Sequence, residues 1–73
     1  MDLFLPDRPV IFSTPIQGKV EQTITDNHSG RVKCLSSFWP AQLYEKDQVT
    51  TLFPGQIVNV VGRQGITLLV APK

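Results

Sequence analysis

The chain is predicted to be an all-β domain closing into a small barrel of about five strands, entered by an extended N-terminal arm. From Ile16 onward apolar residues alternate with polar ones instead of recurring every three or four positions, which is the periodicity of strands. The alternating segments are short and are punctuated by turn residues, leaving no helix of ordinary length. At 73 residues there is room for one core near the lower size limit of independent folding. Closing the sheet buries one face and removes the exposed edges that an open sheet would carry.

Residues 1–15 read as the arm and residues 16–73 as the barrel domain. Pro6, Pro9 and Pro15 each fix φ and remove a backbone donor, so the arm is extended and not helical. Leu3, Phe4, Leu5, Val10, Ile11 and Phe12 make it oily, and packing across the barrel is the expected way to cover them. The first strand is expected over Gly18 to Thr25, with Val20 and Ile24 on one face, ended by the polar turn Asp26-Asn27-His28-Ser29-Gly30. A second runs from Arg31 to Leu35, where Val32 and Cys34 face inward while Arg31 and Lys33 face solvent. Phe38 to Tyr44 forms a third, with Trp39, Ala41 and Leu43 inward and Phe38, Gln42 and Tyr44 outward. Pro40 inside it requires an edge position or a bulge. The charged turn Glu45-Lys46-Asp47-Gln48 leads to a short extended stretch from Val49 to Phe53, stopped by Pro54-Gly55. Two β-branched runs, Ile57 to Val61 and Ile66 to Val70, then form a hairpin across Gly62-Arg63-Gln64-Gly65. OB-like and SH3-like barrels both satisfy this pattern.

Composition narrows the functional classes. Hydrophobic residues make up 41% and charged residues 18%, a globular balance. The formal charge of +1 gives no global field to attract nucleic acid or anionic lipid, so such a partner needs a local patch. A single cysteine, Cys34, excludes an internal disulfide and favours a reducing interior. No apolar stretch approaches the roughly 20 residues that span a bilayer, and no secretory signal is visible, since Asp2 replaces the basic start and Pro6 and Pro9 interrupt the apolar run. The expected location is cytoplasmic, peripheral to a membrane at most.

No catalytic or metal-binding residues are assigned, and no cofactor. Asp26, His28 and Ser29 have the residue types of a hydrolytic triad but are neighbours in one turn, where they cannot converge as nucleophile, base and orienter. One His and one Cys fall short of the three protein ligands that a zinc site uses. Cys34 has the parity of a packed, inert thiol, and Trp39 that of a core residue. The glycines lack the spacing, lysine and helix of a phosphate-binding loop. What remains is a binding surface, the outer face of the second and third strands, where Arg31 and Lys33 accompany the outward aromatics Phe38 and Tyr44. Aromatic and Arg contacts of this kind suit a protein partner. The alternative is a single-stranded nucleic acid, with bases stacked on the rings, disfavoured by the low net charge and by Glu45 and Asp47 nearby. Self-association through the Pro40 edge or the arm is a further expectation.

The segment Gly55-x-x-Val58-x-Val60, then Gly65, then Leu68-x-Val70-x-Pro72 resembles the end of the C-terminal OB-fold domain of the NfeD family. Gly30-Arg31-Val32 followed by Trp39-x-Ala41 recurs there in the same order, so the resemblance covers about Gly18 to Pro72. Glu21, where the family carries a second glycine, and Asp26-Asn27-His28-Ser29, where it carries Leu-x-Pro, depart from the pattern. The resemblance implies a five-stranded OB-like barrel without a catalytic set. It also implies an accessory role beside a stomatin- or flotillin-like membrane scaffold protein or in membrane-protein quality control. Family members usually carry transmembrane helices ahead of this domain; here an arm broken by prolines stands in that place.

Overall fold

The computed structural model describes residues 8–46 and 50–73; Leu3-Phe4-Leu5 of the arm and Asp47-Gln48-Val49 lie outside the described residues. The elements are β1 (Val10–Gln22), β2 (Ile24–Thr25), β3 (Gly30–Cys34), β4 (Ser37–Leu43), β5 (Thr51–Leu52), β6 (Ile57–Gln64) and β7 (Thr67–Pro72). Five of them close a barrel in the order β1-β3-β4-β7-β6, and β2 pairs with β5 in a separate two-stranded sheet. The all-β barrel of the sequence reading is therefore present, with Thr51–Leu52, from the stretch expected after the charged turn, in the side ribbon and not in the barrel.

Strand β1 is longer than its alternation suggested. It starts at Val10, pairing Val10 with Arg63 and Ile11 with Gly62 of β6, so residues 10–15 of the expected arm are part of a barrel strand. Pairing is irregular between Ile11 and Ile16, where Pro15 cannot donate to a ladder. Phe12 packs against the core while Val10 and Ile11 stay exposed, so the oily arm is only partly covered. The far end of β1 stops at Gln22, and Ile24 turns away to face Leu52, dividing the segment that alternation reads as one strand to Thr25.

The core follows the period of two. Val32 and Cys34 are buried while Arg31 and Lys33 are exposed; Ala41 and Leu43 are buried, with Trp39 packed against them. Val20, Ile24, Leu52, Val58, Val60, Leu68 and Val70 join them in the core cluster. Each such side chain contributes about 1.5–3 kcal/mol when fully removed from water. Close packing reaches the backbone at Gly30, where an added Cβ would overlap the carbonyl oxygens of Gln22 and Thr23.

Two turns define one end of the barrel. The β6–β7 hairpin reverses at Gly65-Ile66, flanked by the pair Gln64–Thr67, and not across residues 62–65 as the spacing of glycines suggested. Gly65 has φ 62° and Ile66 a negative φ, the pattern of a two-residue turn with glycine at its first position. Gly62 instead sits inside β6 at a register shift. The β3–β4 hairpin reverses at Leu35-Ser36, both with positive φ, 52° and 67°. That conformation normally selects Asn-Gly, because L side chains crowd the backbone there.

Ser37 pairs with Cys34 directly across that turn, followed by Val32–Trp39 and Gly30–Ala41. In an antiparallel ladder alternate residues exchange hydrogen bonds. Trp39 and Ala41 therefore bond to β3, while Phe38, Pro40 and Gln42 direct their nitrogens toward β7. The parallel β4–β7 ladder begins only at Ala41–Leu68, beyond the proline that has no N–H to give. Pro40 thus sits where β4 is an edge on one side, as its chemistry demands.

Replacing Gly30 by Ala is expected to destabilise the fold by about 3 kcal/mol, because the clash is with backbone and not with a movable side chain; urea unfolding monitored by Trp39 fluorescence measures it. The pair of substitutions Leu35→Asn and Ser36→Gly is expected to raise stability by about 1 kcal/mol by relieving left-handed strain, read as a higher urea midpoint at unchanged slope.

Candidate functional site

The β4–β7 ladder starts at Ala41–Leu68, where β7 leaves its turn, so the Leu35-Ser36 and Gly65-Ile66 tips extend past it at one open end of the barrel. Between them opens a cavity of about 180 Å³, lined by Phe12, Leu35, Trp39, Ile66 and Leu68 with Arg63 at its rim. Leu35 and Ile66 are 73% and 70% exposed, the most solvent-accessible large apolar residues among those described. The Trp39 indole is held across the opening by its Nε1–H, which donates to the Cys34 carbonyl oxygen at 3.1 Å. Arg63 is fixed at the tip by donation from Nη1 to the Gly65 carbonyl oxygen at 3.2 Å.

The outer face of β3 and β4 is the second candidate surface. Arg31, Lys33, Phe38 and Tyr44 are all exposed, in agreement with the strand parity. Lys33 lies opposite Phe38, and its Nζ stands 5.7 Å from the centre of that ring, within the range of a cation–π contact. Arg31 lies opposite Pro40. Tyr44 follows the end of β4, its backbone N–H donating to Val70 at 2.9 Å. Six residues at about 3.3 Å each put it roughly 20 Å from Phe38 along the strand. The structure therefore brings Lys33 and Phe38 together, leaves Arg31 one step below them, and separates Tyr44 from the group.

Other reactive types are accounted for by packing or exposure. Cys34 is buried, and desolvation pushes its thiol above the ordinary value of 9.0, away from the thiolate form that reacts or binds metal. Among the described residues there is no group of three His, Cys, Asp or Glu side chains that could hold a metal ion. Nor is there a helix long and apolar enough to cross a membrane. Asp26 and His28 stay in the turn between β2 and β3, with His28 bridged to Thr25 through backbone.

Sequence periodicity missed the open end because it assigned Leu35 and Ile66 to strands. The available signal was a pair of large apolar residues at segment boundaries, one beside Ser36-Ser37 and the other directly after Gly65.

Residues 16–72 match the family model described as the NfeD-like C-terminal, partner-binding domain. A solved structure similar to the chain is the soluble domain of a membrane protein implicated in regulation of membrane protease activity from Corynebacterium glutamicum. It has a TM-score of 0.70 and 29% identity over 81% of this chain and 89% of that one. Another is the C-terminal domain of stomatin operon partner protein 1510-C from Pyrococcus horikoshii, with a TM-score of 0.67 and 25% identity over 82% of this chain and 86% of that one. No curated protein sequence matches the chain significantly. With most of its length matched, the chain belongs to the NfeD-like family through its C-terminal, partner-binding domain.

Proposed function

We propose that this barrel is a non-catalytic adaptor that binds a stomatin-like scaffold protein at a membrane surface, with the β3–β4 hairpin as its contact face. The observation that carries the reading is the match of residues 16–72 to a partner-binding domain. The Pyrococcus neighbour, described as a stomatin operon partner, supports the choice of partner. The Corynebacterium neighbour, described as part of a membrane protein implicated in regulating membrane protease activity, supports a place in membrane-protein quality control. Location on the cytoplasmic side, peripheral to the membrane, belongs to the same proposal.

On the contact face Lys33 and Phe38 form the centre and Arg31 extends it. Exposed aromatic and cationic side chains of this kind anchor protein interfaces. Tyr44, far along the strand, serves only a partner large enough to reach it. The oligonucleotide reading is not favoured. Stacking platforms present a free ring to each base, whereas the Lys33 ammonium already stands over Phe38, and the second ring is too distant to take the neighbouring base.

Titration of the purified chain with the stomatin-like protein of the same host is expected to give saturable binding. Lys33→Ala combined with Phe38→Ala should weaken it by roughly tenfold, equivalent to about 1.4 kcal/mol. Absence of binding, or an unchanged affinity in the double variant, would remove the partner or the face respectively. A short single-stranded oligonucleotide at low salt is expected not to bind.

A further inference from the structure

The open end of the barrel combines features that the fold itself does not require. Leu35 adopts a left-handed conformation unfavourable for a branched side chain, in a turn where Asn-Gly would be more stable, and it leaves most of its apolar surface in water. Ile66, in an ordinary backbone conformation, also leaves most of its apolar surface in water on the facing tip. Strain and exposed apolar surface at one place are a cost to folding and solubility, and backbone outliers of this kind concentrate at binding sites. Between the two residues lies a cavity of about 180 Å³ with almost wholly apolar walls. Apolar protein cavities near 150 Å³ accept a benzene ring, so the space suits one phenylalanine or leucine side chain.

Among the described residues, the charged side chains nearest this end are cationic. Arg63 stands at the rim, and Arg8 precedes the residue pair Val10–Arg63. On the outer face of β1 and β3, Lys19 and Lys33 are direct cross-strand partners, an arrangement of like charges that opposes pairing. The described carboxylates, Glu21, Asp26 and Glu45, stand toward the other end of the barrel, past the Val20–Val32 pair or beyond the end of β4.

We propose that the opening between the Leu35-Ser36 and Gly65-Ile66 tips is an anchor pocket that receives one large apolar side chain from an acidic segment of a protein partner. The apolar side chain enters between Leu35 and Ile66 and rests against Trp39 and Phe12. Carboxylates flanking it meet Arg63, Arg8 and the Lys19–Lys33 pair. The pocket gives the contact face of the partner-binding reading its specificity and rests on that reading. It differs in residues from the Lys33–Phe38 surface, except that Lys33 contributes to both.

The probe is the peptide acetyl-Asp-Asp-Phe-Leu-Asp-Asp-amide, titrated into the full chain and followed by amide chemical shifts and by the fluorescence of the single tryptophan. Shifts are expected at Phe12, Leu35, Trp39 and Ile66, with affinity falling as salt is raised. Replacing the Phe and Leu of the peptide by Ala, or its Asp residues by Lys, should each weaken binding at least roughly tenfold. Ile66→Asp and Leu35→Asn should weaken it to a similar degree. Leu35→Asn is expected to keep or raise the urea midpoint, so its loss of binding is not a loss of fold. The pocket is overturned if the acidic peptide leaves these residues unshifted, if the Lys peptide binds equally, or if the chain prefers vesicles of phosphatidylglycerol. A dimer that dissociates in Ile66→Asp would also overturn it, by assigning the opening to a second copy. Titration of the host stomatin-like protein separates the two proposals. Unchanged affinity in Ile66→Asp rejects the pocket alone, whereas failure of the unsubstituted chain to bind rejects the partner reading and leaves the peptide result to decide the pocket.

Discussion

The barrel is closed by its parallel pair, β4 against β7, and the position at which that ladder begins governs the rest of the molecule. All other barrel neighbours are antiparallel. The β4–β7 contact joins segments far apart in sequence through Ala41–Leu68, Gln42–Leu69 and Leu43–Val70, with Tyr44 continuing the ladder to Val70. One residue earlier, Pro40 occupies a position whose nitrogen faces β7 and has no hydrogen to donate. β7 itself begins at Thr67, level with Pro40, so the ladder ends there through the Gly65-Ile66 turn together with the missing donor of the proline. The apolar cavity lies at the end where the ladder begins, floored by Val60 and Leu68.

The open end would cost little if the hairpin tips were polar, since an open barrel end with hydrophilic loops is well solvated. Here both tips carry large apolar residues, and the β3–β4 tip does so in left-handed geometry. The Trp39 indole N–H is satisfied by the Cys34 carbonyl, which lets the ring remain at the opening without a buried unpaired donor. These features form an apolar recess bounded by short turns, already open in the folded chain. Recognition by such a surface loses little conformational entropy on the protein side.

Much of the fold was legible in the sequence because it depends on short-range regularities. The period of two assigned Val32, Cys34, Ala41 and Leu43 to the interior and Arg31, Lys33 and Phe38 to solvent. The chemistry of proline placed an edge at Pro40. What escaped was decided by non-local pairing. Val10 and Ile11 belong to a strand because β6 extends to Gln64 beside them, and nothing within residues 10–15 announces that neighbour. β1 ends at Gln22, where Gly30 lies close against the backbone of Gln22 and Thr23, and Ile24 pairs with Leu52. Leu35 and Ile66 look like ordinary strand residues from composition, and their role as tips depends on backbone angles that propensity would assign to Asn or Gly.

The same distinction bears on the surface. Parity correctly put four residues on the outer face, but a face is not a cluster: Lys33 and Phe38 meet because their strands are in register, while Tyr44 is removed from them by the length of β4. The β3–β4 hairpin thus presents its cation–aromatic pair on the outside and Leu35 at its tip, next to Trp39 and the recess. A partner approaching this hairpin meets positive charge before apolar surface. Long-range attraction orients the encounter and the short-range apolar contact retains it, two contributions with opposite salt sensitivity. A barrel with a formal charge of only +1 can therefore still select an acidic partner, because selection depends on where its cations stand relative to the opening and not on their excess over the carboxylates.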